Sequence, residues 1–190
     1  MKKEILVALA TVLTIAPAAI LAQTEKGGPT KTTLVTAEEV QTIIDKYPTG
    51  GDHEIRIAGM GSYNVGIAVL KRGALKPGGP LRGISHTQIT EVYYIVSGEG
   101  TLITATNDDV TDVKPIAADN ELVTTVVGPG ANATIVKPAE SRKVKTGDMI
   151  VIPPGVYHGF SEIPDHIEYV TVRPDPNKVL PAGYVNPAIK

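Results

Sequence analysis

The chain has no cysteine, no tryptophan and a single phenylalanine among 190 residues. Without cysteine there is no disulfide framework, so stability must come from a packed core, and no thiol nucleophile is available. There is no Gly-x-Ser-x-Gly elbow and no phosphate-cradling glycine loop, which removes two common routes to hydrolase and nucleotide chemistry. Excess positive charge is also missing: 18 basic residues face 20 acidic ones, for a formal charge of −2. Polyanion binding relies on clustered Lys and Arg, so a nucleic-acid partner is excluded. The densest basic stretch, Arg142-Lys143-Val144-Lys145, reads as a solvated hairpin.

The longest apolar run is at the start. Lys2 and Lys3 precede Ile5 to Ala22, which is broken only by threonines and Pro17, and a polar stretch begins at Gln23. This is the layout of a secretory signal over residues 1–22, with cleavage expected after Ala22 and a periplasmic or secreted destination. Pro17 and the small residues Ala16, Ala18, Ala19 and Ala22 favour removal over retention, so no stable membrane anchor is expected after cleavage. No cysteine follows the run to take a lipid.

Residues 23–51 read as a polar lead-in and a short helix. Thr36-Ala37-Glu38-Glu39 has the form of a capping box, Val40, Ile43 and Ile44 share one face, and Tyr47-Pro48-Thr49-Gly50-Gly51 ends the element. From residue 52 the pattern changes. Short runs rich in Val, Ile, Thr and Tyr recur near 53–59, 63–71, 91–96, 100–106, 121–127, 132–136, 149–152, 156–161 and 167–173, divided by Gly, Pro, Asn or Asp. Many short strands without helical pattern predict an all-β, antiparallel sandwich or barrel over 52–173. Within it, residues 107–146 read as an excursion: a lid, a partner surface or a cover for a sheet edge. The proline-bearing tail 174–190 is expected to wrap the surface in extended form. Asn132-Ala133-Thr134 fits a glycosylation triplet, a pattern too short to carry weight.

Two segments hold the candidate chemistry: Gly78-x5-Ile84-x-His86-x4-Glu91-x6-Gly98, and Gly147-x5-Pro153-Pro154-Gly155-x2-His158. They offer two imidazoles and one carboxylate, a donor set that holds a divalent transition metal with positions left open. His86 and Glu91 are an odd number of residues apart, so an unbroken strand would point them to opposite faces. A bend within Thr87–Thr90 is therefore required if both are to meet. Glu91 opens the apolar run Val92-Tyr93-Tyr94-Ile95-Val96, where a buried carboxylate needs a partner or a cation.

The two segments resemble the signature motifs of the cupin superfamily, with two departures. Ile84 stands where the family places its first motif-one histidine, and Glu162 stands where motif two closes on asparagine. The resemblance implies a jelly-roll β-barrel and puts the metal ligands at His86, Glu91 and His158, with the fourth position unassigned. His53 and Gln88 are ranked below water for that place, and His53 and His166 read as surface residues. Ile84, Gln88, Tyr93, Val156 and Phe160 are expected to line a pocket for a small molecule.

The implied cofactor is one divalent metal among Fe, Mn, Zn and Ni. Known cupins include dioxygenases, isomerases, epimerases and decarboxylases, and also sugar-binding, storage and sensing modules. Three functions therefore stay open: an exported, mononuclear metal-dependent oxygenase or isomerase; a non-catalytic small-molecule or sugar binder; and, from the signal segment and the long excursion between the motifs, an envelope structural or interaction protein. A homodimer is compatible with each.

Overall fold

The capping box acts as the sequence predicts. In the computed structural model, which describes residues 29–48 and 50–190, the Thr36 hydroxyl accepts from the Glu39 amide and the Glu39 carboxylate accepts from the Thr36 amide. These bonds satisfy free donors at the start of α1, Ala37–Lys46. Ile43 and Ile44 are buried against Ile55 and Val69, and Glu39 also pairs with Arg56, which fixes the helix to the outside of a sheet. The signal segment expected over residues 1–22 lies outside the described residues.

The strands are β1 (Asp52–Gly59), β2 (Asn64–Leu75), β3 (Arg82–His86), β4 (Glu91–Ala105), β5 (Val110–Pro115), β6 (Gly130–Ile135), β7 (Glu140–Lys145), β8 (Met149–Ile152) and β9 (Tyr157–Asp175). All pair antiparallel. One wall runs β1-β2-β9-β4-β8 and the other runs β5-β6-β3-β9-β4-β7. The early part of β9 joins β3 and its later part joins β2, while β4 joins β8 first and β7 afterwards. The two long strands therefore pass through both walls and close an antiparallel jelly-roll barrel.

Such a passage needs a bend, which appears as register shifts at Ile95/Ser97 and Gly98/Thr101. Gly98 has φ +74°, and a Cβ built there would lie 2.0 Å from the His166 carbonyl oxygen. Only glycine fits. The sequence divides β4 at this glycine into 91–96 and 100–106, and divides β9 around Pro164 into 156–161 and 167–173. The ladder runs on through both breaks, because a bulge absorbs the kink without ending the pairing.

Residues 121–127, expected as a strand, form a single π-helical turn over Leu122–Val127. The Asn120 side chain accepts from the Leu122 amide and its carbonyl accepts from Val123 and Thr124. Val123, Val126 and Val127, spaced three and four apart, are buried together. β-branched composition pointed to a strand, and local capping with one-sided burial overrode it. The segment 107–146 is more than a cover: it supplies β5, β6 and β7, with β6 and β7 directly in the second wall. β7 is a largely exposed strand in which Val144 alone is buried.

The barrel interior is filled by one cluster that includes Leu70, Tyr93, Ile95, Leu102, Phe160 and Tyr169. The tail runs along the free edge of β1, with Val185 opposite Arg56, and ends in a 3-10 turn over Pro187–Ile189. Covering that edge removes a row of unpaired donors and acceptors.

Candidate metal centre

His86 is the last residue of β3 and Glu91 the first of β4, so the chain crosses between walls within Thr87–Thr90. The Thr87 amide donates to the Pro129 carbonyl at 2.8 Å, and Ile89 is buried with Ile57 and Leu180. That anchored crossing is the bend the odd spacing demands. His158 is the second residue of β9, two residues beyond the turn Pro153–Val156. In that turn Gly155 has φ +82°, and its amide donates to the His86 carbonyl at 2.7 Å. One backbone bond thus ties the two motifs, and the barrel register sets His158 opposite Ile84.

The three side chains are almost fully buried, at 3% exposure for His86, 1% for Glu91 and 3% for His158. Glu91 Oε2 lies 3.3 Å from His86 Nε2 and 3.0 Å from His158 Nε2, and it accepts from the Tyr93 hydroxyl at 3.1 Å. The other oxygen, Oε1, accepts from Arg173 Nε at 2.7 Å. Arg173 is itself fully buried and also donates to Glu54 at 3.2 Å and to Asp52. Burial pushes the Glu91 carboxyl up, but the Arg173 guanidinium, with the two imidazoles beside it, outweighs burial and holds the group well below the usual carboxylate range. Burial pushes the His86 imidazole down, toward the neutral form that ligates metals. Burial also pushes Glu54 up to about 8, with Arg173 opposing and Asp52 reinforcing the rise. The Tyr93 phenol is pushed well above its usual value by burial and remains a donor.

A metal fits this donor set, as the tautomer of His158 shows. Its Nδ1 lies 3.0 Å from the Val156 carbonyl oxygen, which can only accept, so Nδ1 carries the proton. In the neutral ring Nε2 is then a bare acceptor 3.0 Å from a carboxylate oxygen. That nitrogen is buried and makes no hydrogen bond. Two bare acceptors this close repel, and a cation that both can reach removes the repulsion. One donor atom from each of His86, Glu91 and His158 falls within 4.8 Å of the others, a cluster able to hold a metal ion. The second ring nitrogen of His86, Nδ1, is buried without a partner.

The expected pocket residues separate. Ile84 and Phe160 line a cavity of about 440 Å³ together with His158. Val156 lines a different one, about 560 Å³, bordered by β7 and β8. Tyr93 belongs to the barrel core and serves the site through its bond to Glu91 rather than as a pocket wall. Gln88 is half-buried in the crossing and stands outside the His86–Glu91–His158 cluster. His53 stacks on Tyr47 at 3.7 Å, which takes it out of contention as a fourth ligand, and His166 sits between Ser97 and Asp165. Arg173, Glu54 and Asp52 were not anticipated. The one signal in the sequence is that Arg173 alternates with Tyr169 and Thr171 on one face of a strand, and its place beside Pro174 and Asp175 masks it as a solvated strand end.

The model of the cupin family matches residues 62–183. Similar solved structures include a protein from Bacillus halodurans, with 13% identity, TM-score 0.44, and coverage of 81% of this chain and 88% of that one. A conserved protein with a double-stranded β-helix domain from Klebsiella pneumoniae gives 13% identity and TM-score 0.42, covering 77% of this chain and 93% of that one. The DMSP lyase DddQ from Ruegeria pomeroyi gives 12% identity and TM-score 0.41, covering 80% of this chain and 59% of that one. No match was found among curated protein sequences.

Proposed function

We propose, for a chain that belongs to the cupin family, that His86, Glu91 and His158 hold one divalent transition metal and that the barrel acts there on a small organic molecule. The observation that carries this reading is the unpartnered Nε2 of His158 facing Glu91 Oε2 deep in the protein. Two imidazoles and one carboxylate leave coordination positions open, so a bound metal supplies Lewis acidity and, for iron(II), a route to dioxygen. An oxygenase and an isomerase both suit that set.

The chain's own groups do the positioning. The Val156 carbonyl fixes the His158 tautomer, Arg173 holds Glu91 Oε1 so that Oε2 turns to the imidazoles, and the Tyr93 hydroxyl donates to that same oxygen. Ile84 and Phe160 give a molecule beside His158 an apolar surface to pack against. The layout of residues 1–22 supports export to the periplasm or beyond.

A second reading, a barrel that binds a small molecule or sugar without turnover, is favoured by Ile84, an apolar residue directly opposite His158 where the resemblance implies another ligand. Elemental analysis of protein purified without chelators tests the root of both. Stoichiometric metal is expected, with His158→Ala and Glu91→Ala each losing it while circular dichroism stays that of a β-barrel. Unchanged metal content in both variants refutes the assignment.

A further inference from the structure

The chain has five arginines. Three are paired with carboxylates: Arg56 with Glu39, Arg142 with Glu140, and Arg173 with Glu91, Glu54 and Asp52. The other two, Arg72 and Arg82, have no carboxylate partner among the described residues, and both line the cavity of about 440 Å³ beside His158. That volume is of the size that takes a small organic molecule. No aspartate or glutamate lines it, and its walls are otherwise largely apolar, with Ile84, Phe160 and Ile163 prominent.

Arg72 is held in place rather than left to wander. It follows Leu70 by two residues on β2, on the face that builds the barrel core, and its Nε donates to the Tyr169 hydroxyl at 2.9 Å. Tyr169 is fully buried, so the bond anchors the guanidinium at one nitrogen and leaves its two terminal nitrogens without a protein acceptor among the described residues. Arg82 opens β3 two residues before Ile84, on the same face of that strand, and is exposed. A guanidinium presents paired N–H donors that match a carboxylate, so two unpaired arginines lining one cavity with apolar walls suit a carboxylate with an apolar body.

We infer that this cavity takes a small carboxylic acid, its carboxylate on Arg72 and Arg82 and its apolar body against Ile84 and Phe160, next to the metal that the reading above assigns to His86, Glu91 and His158. The inference rests on that reading for what lies beyond His158, and on the two arginines for the charge.

Calorimetry on the full, metal-loaded protein tests it with three matched probes: hexanoate, hexanamide and hexylammonium. Hexanoate is expected to bind, hexanamide to bind at least about tenfold more weakly, and hexylammonium not to bind, because only the first can accept charge-assisted bonds from both arginines. Arg72→Gln and Arg82→Gln should each weaken hexanoate by about tenfold while leaving hexanamide unchanged. Arg82 is exposed, so its variant keeps the test sound if loss of the Tyr169 bond disturbs the barrel. No binding of hexanoate, equal affinity for hexanoate and hexanamide, or full hexanoate affinity in both variants overturns the inference. Metal content measured on the same samples separates the two claims. A protein that holds metal but ignores the probe's charge sinks only the carboxylate, and one that prefers hexanoate without retaining metal sinks only the metal centre.

Discussion

Replacing Glu54 with glutamine should remove a pH dependence of stability that the buried charge cluster imposes. Glu54 is 1% exposed and its Oε1 has no hydrogen-bond partner. Burial raises its carboxyl from an ordinary 4.5 to about 8, even with Arg173 opposing. Between those two values the folded protein keeps a proton that the unfolded chain has released, so stability falls as pH rises. His86 has the opposite sign. Burial lowers its imidazole from an ordinary 6.5, so below that value the unfolded chain binds the extra proton and stability falls as pH drops. The two slopes oppose each other at acid pH, and above the ordinary value for histidine only that of Glu54 remains. From there to about pH 8 the loss sums to about 2 kcal/mol. Urea unfolding of the metal-free protein, at constant ionic strength and in small pH steps across that window, measures it. Taking the difference between wild type and Glu54→Gln cancels the titrating groups that Glu54 does not touch. That difference should fall across the window as the wild type loses stability. Parallel curves would refute the idea that Glu54 is protonated in the fold.

Arg173→Met leaves Glu91 and Asp52 without their shared cation in a site closed to water. A loss of about 3–5 kcal/mol in urea unfolding is expected, and Arg173→Lys should not restore it, because the guanidinium meets the three carboxyls through three separate nitrogens and an ammonium is a single point that cannot span them; a loss under about 1 kcal/mol would show the cluster to be dispensable. Gly98→Ala forces a Cβ against the His166 carbonyl at positive φ, and should lower stability by about 2–4 kcal/mol through strain at the bend of β4. An unchanged urea midpoint for that variant would mean the bend tolerates a side chain.

What was legible in the sequence is what local rules control. The capping box at Thr36 and Glu39 announced α1, and the odd offset from His86 to Glu91 required a crossing between walls that the chain makes at Thr87–Thr90. Less legible was anything fixed by partners far along the chain. Gly98 and Pro164 look like strand ends because the residue types are those of turns, yet β4 and β9 pair with each other on both sides of them. Leu122–Val127 has the composition of a strand, and only the neighbours that bury Val123, Val126 and Val127 make it a helical turn. Charge behaved the same way. Glu91 stood out because it opens an apolar run, whereas Arg173 lies near the end of β9 beside Pro174 and Asp175, where a cation reads as solvated.

That hidden arginine changes what the carboxylate can do. A glutamate facing two imidazoles alone would be free to rotate and present either oxygen, and its burial would favour the protonated form. Arg173 removes both freedoms: it occupies Oε1, so that Oε2 alone meets His86, His158 and the Tyr93 hydroxyl, and it keeps the group ionised. The guanidinium is in turn braced by Glu54 and Asp52 on β1, a strand whose outer edge is covered by the tail and whose Glu54 carbonyl accepts from the Asn186 side chain at 2.7 Å. The orientation of the candidate ligand therefore depends on residues at both ends of the described chain. A substitution that loosens the tail from β1 acts on the centre through Arg173, although no tail residue belongs to the His86–Glu91–His158 cluster.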